Sequence, residues 1–272
     1  MHYPFYWQQE MSSSQNPKIS VIIPTLNEEG FIEHLLKNIL EQNGQREIIV
    51  SDSGSTDKTE DIVKEFIKNN PSKNIKFIRV PIKGVGAARN YGAKHAAGNY
   101  VAFIDADSEI PPDFLQNASA EMLARGIDIA WCEIKTNSPR KIDRFMFRVQ
   151  NIIHRLFQFL KLPVCGGTGI IIKKNLHEEI GGFNENMSHS EDSDYCHKAS
   201  KKGIFKMLQS TFIVVSMRRF EKEGRWNLWL KYIKLGLAYL LNIKTDTVEY
   251  EFGKFSKGRA QIEQVKKEPN RI

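Results

Sequence analysis

Residues 19–29 read Ile-Ser-Val-Ile-Ile-Pro-Thr-Leu-Asn-Glu-Glu, and this stretch decides the fold of the chain. The β-branched apolar run Ile19–Ile23 ends at Pro24, which is typical of a short buried strand. The helix that follows has its apolar residues at helical spacing, at Phe31, Leu35, Leu36, Ile39 and Leu40. A buried strand that leads directly into an amphipathic helix points to an α/β fold.

The same order of strand and helix is repeated along the first half of the chain. Further strands are predicted at Glu47–Ser51, Ile75–Val80 and Tyr100–Ile104. Helices are predicted from Thr56 onward and over Pro111–Leu123, and Gly84–Ala97 is predicted to form a small-residue loop and a helix. Strand and helix thus alternate four times in about 125 residues, which predicts a mostly parallel sheet with helices on both faces.

Polar clusters follow three of the predicted strands. They are Thr25–Glu29, Asp52–Asp57 and Asp105–Asp107. In parallel α/β sheets, ligands bind in the crevice beyond the carboxyl ends of the strands. We therefore expect these three clusters to line one binding site.

The second half of the chain has a less regular pattern. Its predicted strands are Ile127–Lys135, Gly169–Lys173 and Phe212–Ser216, and its predicted helices are Arg140–Lys161, Glu191–Lys202 and Trp226–Leu241. Residues 1–17 are predicted to form a flexible leader. Residues 221–272 are predicted to form an amphipathic helix and a basic tail, which leaves residues 18–220 as the main domain.

The composition favours an anionic partner. The 272 residues include 39 Lys and Arg against 32 Asp and Glu, a net charge of +7. Such a bias suits nucleotides, phospholipid surfaces or nucleic acid. Residues 1–15 lack the basic region and apolar core of a signal peptide, and no apolar run reaches the about 18 residues of a membrane span. We therefore expect a cytoplasmic protein.

The three cysteines, Cys132, Cys165 and Cys196, are widely spaced and odd in number. No CxxC pair occurs, so the spacing argues against a disulfide framework or a structural zinc site. We expect three buried free thiols.

Asp105-Ala106-Asp107 ends a predicted buried strand, and its two carboxylates are two residues apart. Carboxylates at this spacing in a turn can converge on one divalent cation, and Mg²⁺ or Mn²⁺ prefers such oxygen ligands. The alternative is a solvated turn, in which aspartate is common.

Three other clusters each allow a structural and a functional interpretation. Asp52 could accept a hydrogen bond from a base or ribose, while Ser55 to Asp57 would cap the next helix. Arg89 ends a Gly-Val-Gly-Ala-Ala-Arg loop and could contact a nucleotide or form a surface ion pair. In Ser190–Asp194, Asp192 could act as a general base or complement a helix dipole.

In order along the chain, these motifs resemble the family 2 glycosyltransferases, which have the GT-A fold. The matching segments are Val21–Glu29, Val50–Thr59, Gly86–Asn90, Asp105–Asp107, Gly181–Phe183 and Glu191-Asp192. The resemblance implies a Rossmann-like sheet, a nucleotide-diphospho-sugar donor and transfer of the sugar to an acceptor hydroxyl or phosphate. It also implies a nucleotide-binding half over 18–125 and an acceptor half over 126–220.

The resemblance further implies a role for each matching residue. Those expected to bind the nucleotide-sugar are Pro24, Thr25, Glu28, Asp52, Arg89 and Asp105. Asp107 would hold the Mg²⁺ or Mn²⁺ ion, and Asp192 would be the base of an inverting displacement.

Two departures from the family pattern bear on the acceptor. The second strand ends in Asp52-Ser53 instead of two acids. Arg225-Trp226 is preceded by Lys222 and not by the Gln of the QxxRW box, which argues against processive polymer synthesis. We expect the pair Arg218-Arg219 to face a diphosphate or a lipid phosphate, because arginine binds phosphate oxygens bidentately. A solvated surface pair is the alternative.

The helices predicted at Arg140–Lys161 and Trp226–Leu241 each combine an apolar stripe with basic residues. Such helices can lie on an anionic membrane surface, or they can pack on the core with a solvated basic back. The membrane interpretation predicts peripheral attachment at the cytoplasmic face and a lipid acceptor, and the other allows a glycan acceptor.

Two other classes of function compete with this interpretation. A sugar-phosphate nucleotidyltransferase would need a glycine-rich loop with Arg and Lys after the first strand, and Pro24–Glu29 has neither. A non-catalytic module that binds nucleic acid or a membrane surface would also suit the basic charge. Nucleic acid binding would need aromatic residues between Lys and Arg on an exposed strand, whereas the aromatics here lie in apolar helical stripes. We expect no nucleic acid partner.

Overall fold

The computed structural model describes residues 18–44, 46–159, 165–187 and 190–240. The predicted leader over 1–17 and most of the predicted basic tail lie outside the described residues. The strands are β1 (Ile19–Thr25), β2 (Arg46–Asp52), β3 (Ile75–Arg79), β4 (Tyr100–Phe103), β5 (Ser108–Glu109), β6 (Ile129–Thr136), β7 (Ile170–Lys173) and β8 (Phe205–Val215). The helices are α1 (Ile32–Leu40), α2 (Thr59–Asn69), α3 (Val85–Lys94), α4 (Phe114–Ala124), α5 (Lys141–Phe159), α6 (Lys174–Glu179), α7 (Glu191–Ser200), α8 (Arg218–Glu223) and α9 (Arg225–Leu240).

The strands form one sheet in the order β3-β2-β1-β4-β7-β6-β8-β5. The first four strands are parallel, as the alternating pattern predicts. In this register Thr25 pairs with Asp52, and Asp52 pairs with Arg79. The carboxyl ends of β1, β2 and β3 therefore meet at one edge of the sheet.

The second half of the sheet is mixed rather than mostly parallel. Strand β7 runs antiparallel to both β4 and β6, and β5 runs antiparallel to β8. Strand direction therefore reverses from β4 to β7 and again from β7 to β6, so β6 runs parallel to β4. Strand β8 runs parallel to β6 and so has the same direction as β4. The carboxyl end of β8 thus lies at the same edge as the ends of β1 and β4, and α8 begins there.

The core lies around the central strands. Val21, Ile22 and Ile23 of β1 are fully buried. Helix α3 lies directly against this strand at Gly92, because a Cβ at that position would overlap the side chain of Ile22. The apolar side of α1 is buried as its spacing predicts, with Leu35 in the core.

Some predicted boundaries are wrong. Helix α2 begins at Thr59 instead of Thr56, because Asp57 turns back to accept the backbone N–H of Thr59 at 2.9 Å. Strand β8 begins at Phe205 instead of Phe212, since its first half pairs with β6 up to a register shift between Trp131 and Glu133.

The expectation of three free thiols is wrong. Cys165 and Cys196 form a disulfide, and Cys132 is free and buried. The two partners are 31 residues apart in sequence. Cys165 precedes β7 and Cys196 lies in α7, so their proximity depends on the tertiary fold and not on a local motif.

Among the helices of the described residues, none combines the length and apolar composition that crossing a bilayer requires.

Candidate active site

The loops that follow β1 and β2 are joined by hydrogen bonds. The backbone N–H of Asn27 donates to Ser55 Oγ at 2.8 Å, and the side-chain oxygen of Asn27 accepts the N–H of Thr56 at 2.8 Å. The N–H of Glu28 donates to Thr59 Oγ1 at 2.8 Å. Asn27 has a φ of 58°, a left-handed conformation that asparagine tolerates better than most residues. The two loops are therefore held together side by side at the carboxyl edge of the sheet.

Asp52 is fully buried and holds the second of these loops in shape. Its Oδ2 accepts the backbone N–H groups of Gly54 and Ser55, both at 3.0 Å. Its Oδ1 accepts the hydroxyl of Thr25 at 3.3 Å and that of Ser55. Pro24 and Thr25 belong to β1 and are buried. Asp52 thus lies at the carboxyl edge of the sheet, as the sequence predicts, and both of its carboxylate oxygens accept hydrogen bonds from neighbouring residues.

Arg218 connects two predicted site residues that are distant in sequence. Its Nη1 and Nη2 donate to the two carboxylate oxygens of Glu28, each at 2.7 Å. Its Nε lies 3.0 Å from Asp107 Oδ2, and its guanidinium stacks over the ring of Phe31 at 4.7 Å from the centroid. One arginine therefore compensates the charge of both Glu28 and Asp107.

Burial changes the acidity of these two carboxyl groups. Desolvation raises the pKa of Glu28 to about 7, although Arg218 opposes the shift and Asp107 adds to it. Desolvation also raises the pKa of Asp107, again against the attraction of Arg218 and of Arg219. Arg219 itself pairs with Glu223 at 3.2 Å, one turn along α8. Arg218 therefore contacts Glu28 and Asp107 directly, whereas the direct partner of Arg219 is Glu223.

Arg89 forms a second buried cluster. Its side chain is 2% exposed, its Nη2 lies 3.1 Å from Asp105 Oδ1, and its Nη1 lies 2.9 Å from Glu191 Oε1. Its guanidinium also lies 5.2 Å from the centroid of the Phe183 ring. The interpretation of Arg89 as a surface ion pair is wrong, because the loop before β7 covers it at Gly167, where a Cβ would lie 2.7 Å from Nη2.

Asp192 lies in the first turn of α7, beside this cluster. Desolvation and the neighbouring Glu191 raise its pKa to about 7, Arg89 lowers it, and Asp105 adds a further increase. Its Oδ1 accepts the backbone N–H of Ser193 at 2.7 Å. The carboxyl group of Asp192 can therefore take up or release a proton near neutral pH, which general base catalysis requires.

The carboxylates at this edge fit part of the coordination shell of a divalent cation. Asp105 and Asp107 offer hard oxygen ligands, and each is balanced by an arginine. Within the described residues, no three His, Cys, Asp or Glu side chains converge on a point that could hold a metal ion. Mg²⁺ commonly binds through one or two carboxylates, with water and substrate phosphates completing the shell. The residues therefore suit a cation that is shared with a diphosphate.

Sequence reasoning did not identify two supporting residues. Glu191 pairs with Arg89, whereas in the sequence it stands only beside Asp192, in the acidic cluster and in the matching Glu191-Asp192 segment, without a role of its own. Thr168 has no signal in the sequence. Its hydroxyl accepts the backbone N–H of Asp105 at 3.0 Å and lies 3.1 Å from Ser108 Oγ, which fixes the turn that carries Asp105 and Asp107.

Comparison with known proteins identifies the family. The sequence profile described as glycosyl transferase family 2 matches residues 20–181, more than half of the chain. The chain belongs to glycosyl transferase family 2. This family consists of glycosyltransferases, and the fold of the chain is of the GT-A type. The nucleotidyltransferase and the non-catalytic binding module are not supported.

Relatives and solved structures agree with this family. An uncharacterized glycosyltransferase of Haemophilus influenzae is 28% identical over 246 residues, which cover 82% of this chain and 91% of the relative. The mannosyltransferase PcManGT from Pyrobaculum calidifontis, in complex with GDP-Man and Mn²⁺, has a TM-score of 0.62 and 25% identity and covers 77% of this chain and 61% of its own. TarS residues 1–349 of Staphylococcus aureus, in complex with UDP, has a TM-score of 0.56 and 26% identity over 75% of this chain and 62% of its own.

Several curated relatives are much longer than this chain. Among them, the aligned part covers between 16% and 36% of the relative. The family membership therefore applies to the glycosyltransferase domain that these proteins share.

Proposed function

We propose that this family 2 glycosyltransferase is metal-dependent, inverts the anomeric centre and uses Asp192 as its catalytic base. The main support is that Arg89 lies next to both Asp105 and Asp192. It pairs with Asp105, on the proposed donor side, and lies beside Asp192, on the proposed acceptor side. Donor and acceptor chemistry would then be adjacent at one edge of the sheet.

The donor would lie along the joined loops after β1 and β2. Pro24, Thr25, Glu28 and Asp52 would line the pocket for base and ribose, with Asp105 near the ribose. The complexes of PcManGT with GDP-Man and of TarS with UDP support a nucleoside-diphospho-sugar donor. They are compatible with either uridine or guanosine as its nucleoside. Arg89 would act on the donor through Asp105, because its guanidinium is buried.

Asp107 would hold the Mg²⁺ or Mn²⁺ ion together with the donor diphosphate. The Mn²⁺ in the PcManGT complex supports this cofactor. When bound, the cation would neutralise the negative charge that develops on the departing nucleoside diphosphate. Arg218 would have to share Asp107 with the cation or release it, since its Nε lies 3.0 Å from Asp107 Oδ2.

Asp192 would accept the proton of the acceptor hydroxyl while that oxygen forms its bond to the anomeric carbon. The bond from the anomeric carbon to the diphosphate oxygen breaks on the opposite face, so the configuration is inverted. A carboxyl group with a pKa of about 7 is a suitable base for such a transfer at neutral pH. The acceptor would be a glycan or lipid-linked hydroxyl.

A thermal-shift measurement tests the donor site and the metal role separately. We expect one of UDP or GDP to raise the melting temperature of the protein, and Mn²⁺ to increase that shift, because a selective ligand stabilises the folded state by mass action. Asp107→Asn should abolish the added effect of Mn²⁺, and Asp61→Asn, on the exposed side of α2, is the matched control. If neither nucleotide stabilises the protein, the proposed donor site is wrong. An unchanged Mn²⁺ effect in Asp107→Asn would refute the metal role.

A further inference from the structure

Helix α5 is amphipathic, but its apolar side faces away from the protein. Seven of its apolar side chains are between 38% and 83% exposed, namely Ile142, Phe145, Val149, Ile152, Ile153, Leu156 and Phe159. A helix on the surface of a globular protein normally turns this side to the core. A contiguous exposed apolar surface of this kind marks an interaction site.

The side of α5 that packs on the sheet is largely polar. Asn151 there receives the backbone N–H of Ile134 at 3.1 Å and donates to its carbonyl oxygen at 2.8 Å. Asp143 pairs with Arg225 at 3.0 Å, and Phe147 is the one large apolar residue of α5 that is buried. Specific hydrogen bonds therefore fix the orientation of α5 and hold its apolar side outward.

Basic residues border this outward surface. Arg144, Arg148 and Arg155 are exposed and lie on one flank of the apolar stripe, at positions that share a helix face. Arg155 pairs with Glu133 of β6, so the uncompensated positive charge of this flank is that of Arg144 and Arg148. The only acid in α5 is Asp143, which is buried. The apolar surface thus has a positively charged edge and no negative charge on the exposed part of the helix.

Two further apolar residues are exposed at the start of α9. Trp226 is 67% exposed and Leu230 is 55% exposed, and their spacing of four residues places them on one face of α9. The ring of Trp229, on the inner face of α9, packs on Phe147 of α5 at 5.8 Å between centroids. We define the outward surface as the seven exposed apolar residues of α5.

We propose that the outward surface docks on an anionic lipid bilayer. The apolar side chains would enter the boundary between headgroups and acyl chains, and the arginines would bind lipid phosphates at its edge. A second copy of the chain fits less well, because a symmetric contact would bring two arginine rows and two chains of charge +7 together. The apolar stripe and its basic flank together match a lipid surface.

Co-sedimentation of the full chain with vesicles tests the inference. We expect binding to vesicles of phosphatidylcholine mixed with phosphatidylglycerol, little binding to phosphatidylcholine alone, and weaker binding as salt is raised. Ile152→Ser with Leu156→Ser should reduce the partition coefficient by about tenfold or more. Leu123→Ser with Ile204→Ser removes similarly exposed apolar residues from other surfaces and should leave it unchanged.

A second pair of variants tests the charged edge. Arg144→Gln with Arg148→Gln should lower binding by about tenfold or more. Lys64→Gln with Lys68→Gln on α2 makes the same change in net charge and should have a much smaller effect. The inference is overturned if the wild-type chain does not sediment with anionic vesicles, or if each variant and its control lose binding equally.

The same measurements distinguish a bilayer from two other partners for the outward surface, namely residues 241–272 of the chain itself and a second copy of the chain. If residues 241–272 cover the surface, the full chain will not bind vesicles and a chain without these residues will. That result would overturn the inference. A dimer in analytical ultracentrifugation that Ile152→Ser with Leu156→Ser dissociates would also overturn it. The nucleotide-dependent melting shift, measured without vesicles on the same variants, tests the proposed function separately and should be unchanged.

Discussion

The two terminal nitrogens of Arg218 donate to the two carboxylate oxygens of Glu28, across 190 positions of sequence. This bidentate contact joins the loop after β1 to the start of α8. It also places the guanidinium Nε 3.0 Å from Asp107 Oδ2. The loops that follow β1 and β4 are therefore coupled to helix α8 through one arginine side chain.

We expect Arg218→Lys to destabilise the protein although the charge is kept. Lysine is a point charge and cannot make two parallel hydrogen bonds to one carboxylate, so Glu28 would lose a partner in a buried place. A loss of about 1–3 kcal/mol in the free energy of unfolding is expected. Urea unfolding followed by circular dichroism measures it. Arg219→Lys, on the same helix, is the matched control and should cost less than half as much.

The buried Arg89 allows a sharper comparison. Arg89→Met keeps much of the side-chain volume but leaves Asp105 and Glu191 without their shared cation. Removing one partner of a buried ion pair typically costs about 3–5 kcal/mol. Arg79→Met removes a 60% exposed arginine that pairs with Glu60, and a change of at most about 1 kcal/mol is expected. Equal losses in the two variants would contradict the buried cluster.

The sequence predicts which strand ends meet at the edge of the sheet, because the signal for the parallel strands is local. Parallel strands end at a common edge, so the polar residues after β1, β2 and β4 had to lie together. Thr25 and Asp52 are paired in the sheet, as that rule requires. The DxD turn after β4 follows from the same rule.

The other half of the site depends on pairings that leave no local pattern. Strand β5 has two residues, and its pairing of Ser108 with Val215 is what brings Arg218 to Asp107. The pairing of Arg89 with Glu191 spans 102 positions. Likewise, the spacing of α5 shows that the helix is amphipathic, but only the hydrogen bonds of Asn151 show which side faces the sheet. Such contacts are decided by tertiary packing.

The disulfide can be checked by counting thiols. In denaturant without reductant, a thiol reagent should find one free thiol per chain, that of Cys132, and three after reduction. Closing a loop of 31 residues should stabilise the protein by about 4 kcal/mol, so reduction should lower the melting temperature. Cys165→Ser with Cys196→Ser should melt at one temperature with or without reductant. Three free thiols before reduction would show that the pair is not formed.

The raised pKa of Asp192 has a consequence for stability. Its folded-state pKa of about 7 lies above the ordinary value of 3.8, so between these values the folded protein binds a proton that the unfolded chain releases. The stability that this group contributes is therefore complete below about pH 4 and is lost as the pH rises through about 7. Asp192→Asn removes this dependence, because asparagine does not titrate.

We therefore expect Asp192→Asn to melt higher than the wild type at pH 8, and the difference to shrink at pH 5. The same variant should bind the donor nucleotide normally and transfer sugar about 10² to 10⁴ times more slowly, the usual contribution of a general base. Melting curves at the two pH values, with Asp61→Asn as the control, measure the first effect. A lower melting temperature at both values, with donor binding also lost, would mean that Asp192 supports the start of α7 instead of acting as the base.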